Sequence, residues 1–278
     1  MPELPEVETI ARTLRLGSQN QPALIGRCIL GADLLWERTL AEPSPAEFIP
    51  RLTGQVIEDI GRRGKFLYLR LTCDWLLFHL RMSGDILVKP AGTPRETHDR
   101  LVLELDGELQ LVFNDARKFG RVWLVDEVDH VVGNLGPEPL DEGLTAGGFF
   151  TRLHGTQRQL KPLLLDQNFL AGLGNIYVDE ALNLAKLHPL IPANHITVEQ
   201  AECLLESIRI VLRDGIARNG ASIDWVYRGG DFQNYFRVYQ RTGEPCPECG
   251  TAIARIVVGQ RGTHFCPQCQ PFIFLNGG

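Results

Sequence analysis

A chain of 278 residues, 44% hydrophobic and 22% charged, has the composition of a folded globular protein and the length for one large domain or two small ones, which argues against a disordered chain. No apolar run approaches the roughly 18 residues of a membrane span, and the acidic, proline-rich opening Met1-Pro2-Glu3-Leu4-Pro5-Glu6 is not a secretory leader, so an intracellular protein is expected. The formal net charge of -6 excludes a uniformly basic surface: residues 1–150 carry 16 Lys+Arg against 23 Asp+Glu, residues 151–278 carry 12 against 11, and any nucleic-acid surface must be local.

In chain order, residues 5–16 place Val7, Ile10, Ala11 and Leu14 at helical spacing, with acids early and arginines late, and predict a helix. From about 24 to 126 the pattern changes to short runs, VIEDI, KFLYLRL, WLLFHLRM, DILVK, RLVLELD, LQLVFN and RVWLV, separated by turn residues; such a series predicts an antiparallel sandwich. The Gly/Pro-rich stretch 134–143 reads as a boundary, and helical periodicity returns over 146–166, 174–187 and 197–219. A Gly-rich loop, 220–236, leads to a terminal hairpin around Gly259-Gln260-Arg261-Gly262. The fold class is therefore α+β, with expected domains 1–136, 137–236 and 237–278.

Two features carry chemistry. Cys246 and Cys249, then Cys266 and Cys269, form paired C-x-x-C knuckles that match a four-thiolate zinc site; disulfides are the alternative, disfavoured by the expected compartment. With four thiolates and no open position, such a zinc is structural. The other three cysteines, Cys28, Cys73 and Cys203, sit among apolar neighbours and are expected to be buried.

At the amino terminus, removal of Met1 would leave Pro2 as a secondary amine with a pKa of about 8, partly neutral at pH 7 and able to attack an aldehyde carbon. The resulting iminium is an electron sink that permits β-elimination at a sugar, with Glu3 and Glu6 at hand for proton transfer. The same residues also suit an ordinary helix start, and the local pattern by itself favours that reading.

The opening MPELPEVET, RRGKFL (62–67), HLRMSG (79–84), DARKFG (115–120), LGPEPL (135–140), AGLGNIYVDE (171–180) and QRGTHFCPQC (260–269) closely resemble the formamidopyrimidine-DNA glycosylases, nearly end to end. That resemblance implies an amino-terminal helix plus β-sandwich, a helix-two-turn-helix domain and a zinc β-hairpin finger, with double-stranded DNA in the cleft between the domains. It implies a base-excision-repair glycosylase and AP lyase, acting on oxidised purines by β- and δ-elimination. It further implies one structural zinc ion, a monomer, no membrane, and a bacterial cytoplasm at the nucleoid.

Residue by residue, the resemblance assigns Pro2 as nucleophile, Glu3 as the acid assisting base loss and ring opening, Lys65 to phosphate contact and β-elimination, and Arg261 to the second elimination. It assigns Met82, Arg117 and Phe119 to the gap left by the flipped nucleotide, with Arg117 reading the orphaned base, and His79, His98, Lys161 and Asn175 to phosphates. By themselves, Met82 and Phe119 read as core residues. Two stretches depart from the family. The capping loop is shorter, as in the endonuclease VIII branch that acts on oxidised pyrimidines, and Thr156-Gln157 stands where lysine is frequent. A non-catalytic zinc protein that binds damaged DNA is the remaining rival.

Overall fold

Helix α1 (Leu4–Leu16) opens the computed structural model, which describes residues 1–19, 21–222 and 229–272. The chain folds as two units, Met1–Asn134 with Ala221–Gly230, and Leu135–Gly220 with Asp231–Gly278. The centre of the capping loop, 223–228, lies outside the described residues.

In unit 1, α1 starts with a reciprocal capping box in which Glu3 and Glu6 each accept from the other's backbone N–H, and Pro5 fills a position whose own N–H has no helical partner. Of its buried residues, Val7, Ile10, Ala11 and Leu14 belong to the sandwich core. The strands are β1 (Ile29–Leu34), β2 (Leu40–Glu42), β3 (Ile57–Arg63), β4 (Phe66–Leu71), β5 (Trp75–His79), β6 (Gly84–Pro90), β7 (Asp99–Leu105), β8 (Leu109–Asp115) and β9 (Arg121–Val125). Helices α2 (Pro45–Leu52) and α3 (Asp129–Val132) complete the unit.

All seven apolar runs are strands. They form a four-stranded sheet, β1-β7-β8-β6, and a five-stranded sheet, β2-β9-β5-β4-β3, whose alternate residues Leu67, Leu69, Leu76, Phe78, Leu101, Leu103, Leu111, Phe113 and Leu124 make one core. Sequence periodicity does not reveal β1, β2 or α2. The edge strand β2 is three residues long and pairs parallel with β9, so the sandwich is not wholly antiparallel; so short a strand carries no alternation to read.

Unit 2 contains α4 (Ala146–His154), α5 (Leu160–Leu164), α6 (Asn175–Leu184), α7 (Val198–Ala217) and the hairpin β10 (Ala254–Val258) and β11 (Arg261–Phe265). The single helical stretch expected over 146–166 is broken between Gly155 and Gln159. Gln159 bridges to Pro192, and Pro162 occupies the first turn of α5, the one place where a proline lacks no helical donor. Thr197 and Gln200 close a capping box on α7: Thr197 Oγ1 accepts from the Gln200 N–H at 3.2 Å and Gln200 Oε1 from the Thr197 N–H at 3.0 Å.

The expectation for the three isolated cysteines is corrected. Cys28 is half-buried, and Cys73 and Cys203 are exposed. Cys73 lies in the turn between β4 and β5, and Cys203 falls off the buried stripe Ala201, Leu204, Leu205, Ile208 of α7. Among the described residues no helix is long and apolar enough to cross a membrane.

Candidate nucleic-acid interface and metal centre

The amino-terminal residues are held by the α1 capping box and by the sheet below it. Pro2 is buried, Glu3 and Glu6 are each 2% exposed, and Glu6 Oε1 also accepts from the Ala221 N–H at 2.7 Å, tying the start of α1 to the entrance of the capping loop. Two ion pairs fix how α1 lies on β3: Glu8 with Arg62 at 2.7 Å and Arg15 with Asp59 at 3.2 Å. Helix and strand therefore run antiparallel. Stepping back five helical residues from Glu8 covers about 7.5 Å, which matches about two strand residues beyond Arg62. The Glu3 end of α1 and the Gly64-Lys65 turn thus share one end of this layer. Lys65 is only 6% exposed, far from the solvated lysine that a strand end usually carries.

Two further turns of unit 1 carry the three residues that the resemblance assigns to the gap. The β5–β6 turn presents Arg81 and Met82, with Met82 half-buried and Arg81 in the left-handed region at φ 54°. The β8–β9 turn presents Arg117 and Phe119 around Lys118 at φ 60°. Non-glycine residues persist there only when the surroundings fix them. Phe119 is 51% exposed, and the Arg117 guanidinium carbon lies 5.1 Å from its ring centroid. That exposure removes the core reading of Phe119: an aromatic ring at a loop tip, stacked with an arginine, is available to a base.

The two turns are locked together underneath. Asp115 is fully buried and accepts from Ser83 Oγ, from the Arg117 N–H at 3.2 Å and from the Gly120 N–H at 2.7 Å. Ser83 Oγ accepts in turn from the Arg117 N–H at 3.0 Å. Gly120 is required by proximity, because a Cβ there would stand 2.3 Å from the Phe113 ring. His98 is exposed on the preceding loop, and the buried Arg100 ties that loop in by donating to the carbonyls of Asp115, Thr97 and Asp99.

His79 is placed differently from an exposed phosphate ligand. It is 7% exposed, packs edge-on against Phe66, and its Nδ1 accepts from the Arg81 N–H at 3.1 Å. Burial, with Arg81 and Lys65 nearby, pushes its pKa down to about 3, so the ring is neutral and acts as an acceptor under the Met82 turn.

In unit 2, α6 presents Asp179, Glu180 and Asn183 to the segment that carries the hairpin. Lys161 is wholly buried, its Nζ 2.5 Å from Asp179 Oδ1 and 3.0 Å from the Gly262 carbonyl. Asp179 Oδ2 accepts from the His264 N–H at 2.9 Å and faces His264 Nδ1 at 3.2 Å. Glu180 accepts from the N–H groups of Arg237, Val238 and Tyr239; burial pushes its carboxyl up, and these three bonds oppose the rise.

Asn175, the first residue of α6, donates to the Gly262 carbonyl at 3.0 Å, and its buried Oδ1 has no hydrogen-bond partner among the described residues. The hairpin turn is tighter than the sequence suggests. Gly259 and Gln260 occupy it at φ 53° and 62°, and Arg261 is already the first residue of β11, exposed.

The four cysteine sulfurs lie within 4.8 Å of one another, with Cys246–Cys269 at 3.9 Å and Cys249–Cys266 at 3.5 Å. A tetrahedron with Zn–S bonds of about 2.3 Å has edges of about 3.8 Å, so the sulfurs fit zinc. They are too far apart for disulfides. Each knuckle also closes on itself, with the Gly250 N–H donating to the Cys246 carbonyl and the Gln270 N–H to the Cys266 carbonyl, both at 2.9 Å.

Three family models match this chain: the formamidopyrimidine-DNA glycosylase N-terminal domain over residues 1–122, the H2TH domain of the same enzymes over 135–226, and the zinc finger found in FPG and IleRS over 243–271. Formamidopyrimidine-DNA glycosylases of Chloroflexus aggregans and Chloroflexus aurantiacus are 47% and 48% identical, the alignments covering 98% and 97% of this chain and 100% and 98% of theirs. The chain belongs to the formamidopyrimidine-DNA glycosylase family.

Solved structures agree with that placement. The Lactococcus lactis Fpg in complex with DNA containing an abasic site has a TM-score of 0.88 at 38% identity, covering 96% of this chain and 99% of that one. MutM in complex with DNA containing carbocyclic 8-oxo-G matches with a TM-score of 0.88 at 38% identity, over 97% of this chain and 100% of that one. As in the family, four thiolates hold one structural zinc ion, and the protein is a DNA glycosylase with AP lyase activity.

The sequence reading missed the residues beneath the interface: Ser83, Arg100 and Asp115 in unit 1, and Asp179, Glu180 and His264 in unit 2. Asp115 and Asp179 lie inside motifs whose neighbours were singled out. The signal was their type, since an acid inside a strand or helix bounded by buried apolar residues needs a partner for its charge.

Proposed function

We propose that this glycosylase excises oxidised purines, 8-oxoguanine and formamidopyrimidines, from double-stranded DNA and then cleaves the strand by β- and δ-elimination through Pro2. The observation that carries the chemistry is the shared position of the Pro2-Glu3 end of α1 and the Gly64-Lys65 turn, which follows from the two ion pairs between α1 and β3. Once Met1 is removed, the Pro2 nitrogen displaces the base at the anomeric carbon and Glu3 protonates the ring oxygen as the sugar opens. The iminium then acidifies the neighbouring C–H, and loss of that proton expels the 3′ phosphate. Lys65 assists this step and Arg261 the second elimination.

Met82, Arg117 and Phe119 fill the gap, with Arg117 facing the orphaned base; His98 and Asn175 contact phosphates. For His79 and Lys161 the burial described above supports a supporting role, His79 under the Met82 turn and Lys161 under Asn175 and the hairpin. The domains expected at 1–136, 137–236 and 237–278 serve as catalytic, DNA-gripping and zinc-finger parts of a monomer working at the nucleoid of a bacterial cytoplasm.

The test is borohydride trapping on duplexes carrying 8-oxoguanine opposite cytosine, thymine glycol, or no lesion. An adduct on the 8-oxoguanine duplex that is absent in Pro2→Gly is the expected result; no adduct despite binding returns the non-catalytic reading. A second reading, action on oxidised pyrimidines, is favoured by one observation: a Lactococcus lactis Fpg, 37% identical with a TM-score of 0.89, is solved with DNA containing an oxidised pyrimidine. An adduct confined to thymine glycol would select it.

A further inference from the structure

We propose that Ser83, together with the buried carboxylate of Asp115, is a positioning device for opposite-base specificity: it sets the aim of Arg117 and couples the turn that carries it to the Met82 turn. The proposal rests on the reading that Arg117 faces the orphaned base.

Four observations carry it. The first is that Ser83 and Asp115 are 7% and 0% exposed and meet between two turns whose tips are exposed, so the pair lies beneath the surface that those tips present. The second is that both groups converge on one backbone donor, the Arg117 N–H, at 3.0 Å from Ser83 Oγ and 3.2 Å from Asp115 Oδ1. That N–H orients the peptide from which the Arg117 side chain springs. The third is that Asp115 Oδ2 holds Gly120 at the far end of the same turn, so the segment 117–120 is pinned at both ends to one carboxylate. Between the pins lies Lys118 in its left-handed conformation, which the pins must maintain.

The fourth is that the anchor extends to a third loop. The Asp115 N–H donates to the His98 carbonyl at 2.8 Å, and Arg100 Nε donates to the Asp115 carbonyl at 2.7 Å. A shift of Asp115 therefore displaces the Met82, Arg117 and His98 loops together.

A carboxylate suits this place for a chemical reason. Three donors point at the two side-chain oxygens of Asp115, and an amide would turn its NH2 toward one of them. Ser83 has the complementary property: its hydroxyl donates to Asp115 while accepting from Arg117. Alanine removes both links and leaves the turn's sequence otherwise unchanged. An arginine that reads a base edge depends on bond geometry, so a small misplacement reduces discrimination before it reduces binding.

The experiment compares excision of 8-oxoguanine opposite cytosine with excision opposite adenine, as the ratio of kcat/KM values, in wild type, Ser83→Ala, Arg117→Ala and the double variant. Strand cleavage of single-stranded abasic DNA, which has no opposite base, is measured alongside. Arg117→Ala is expected to lower the cytosine-over-adenine ratio by about tenfold or more. Ser83→Ala lowers it by about threefold to tenfold, leaves single-strand cleavage unchanged, and adds nothing in the Arg117→Ala background. Ser83→Thr, which keeps the hydroxyl, restores the ratio. Should Ser83→Ala not fold, Ser83→Cys keeps a side chain of the same shape but slightly larger, weakens both hydrogen bonds and gives the same readout.

An equal loss opposite both bases with the ratio intact marks a merely structural serine and overturns the proposal, as does an undiminished effect in the Arg117→Ala background. If Arg117→Ala itself leaves the ratio unchanged, the reading of Arg117 falls and the proposal with it. A lowered ratio in Arg117→Ala beside a wild-type ratio in Ser83→Ala removes only the positioning role.

Discussion

Each unit hangs an exposed arginine from a buried carboxylate, but what stands behind the carboxylate differs. In unit 1, Asp115 takes neutral N–H and O–H donors and rests on the sandwich core, with Phe113 packed directly under the Arg117 turn. In unit 2, Asp179 is paired with a wholly buried lysine, and a small apolar cluster, Val238, Cys246, Ile253 and Cys266, lies at the zinc knuckles. A hydrophobic core makes a loop rigid through many weak contacts. Where too few residues exist to build one, a metal and a buried ion pair do the same work through few strong bonds.

The contrast predicts where the molecule fails first. Metal removal is the largest expected effect, because metal binding to such knuckles contributes on the order of 10 kcal/mol of folding free energy locally. Cys249→Ser or a strong chelator should abolish strand cleavage of lesion-containing DNA while the β-sheet circular dichroism of unit 1 persists. Loss of the sheet signal together with the metal would show that the two units are not supported separately. Next comes Lys161→Met. It leaves Asp179 buried without its cation and should cost about 3–5 kcal/mol in denaturant unfolding. Adding Asp179→Asn should recover part of this, since both charges are then gone.

These supports explain what could be read in the sequence and what could not. Strands β3 to β9 and the cysteine knuckles were legible because alternation and C-x-x-C spacing are local patterns, each decided within a dozen residues. Strand β1 and helix α2 were not, since both lie where apolar periodicity is weak, and α2 is marked mainly by its Ser44–Glu47 capping box. At the site, the residue types of Pro2, Lys65, Arg117 and Arg261 were legible from motifs, but their burial was not. Lys161 and His79, which the resemblance assigns to phosphates, are enclosed by tertiary contacts, and such contacts join residues as far apart as Lys161 and Gly262. Phe119 shows the reverse case: an aromatic that taken by itself reads as a core residue is exposed, on a turn held by Asp115.

His79 sharpens the unit 1 side of the comparison. Its folded pKa is pushed down to about 3 from the ordinary 6.5 by burial. As pH falls through 6.5 the unfolded chain takes up this proton and the folded chain does not. The contribution is therefore present above pH 6.5 and declines below it, by about 1.4 kcal/mol per pH unit until the folded pKa is reached. Between pH 6.5 and 5, His79→Gln should lose about 2 kcal/mol less stability than wild type. Denaturant titrations at the two pH values measure this, and the six other histidines cancel in the difference. Equal losses in both proteins would mean that His79 is protonated in the folded state and that the Arg81 N–H is held by something else.

The smallest effect tests whether the hairpin of unit 2 is held independently of α7. Thr197 and Gln200 satisfy two backbone donors at the start of α7, a 20-residue helix whose buried stripe packs on α4 and α6. Thr197→Ala removes one of these bonds and should cost about 1 kcal/mol, read as a drop of a few degrees in Tm. The instructive quantity is where that loss appears. If unit 2 melts as one body, the drop shows equally in helical circular dichroism and in zinc release. If the hairpin is held by its metal together with Lys161, Asn175 and Asp179, helix melting of α7 moves while zinc release stays where it was, and the finger is then a separately stapled part resting on α6.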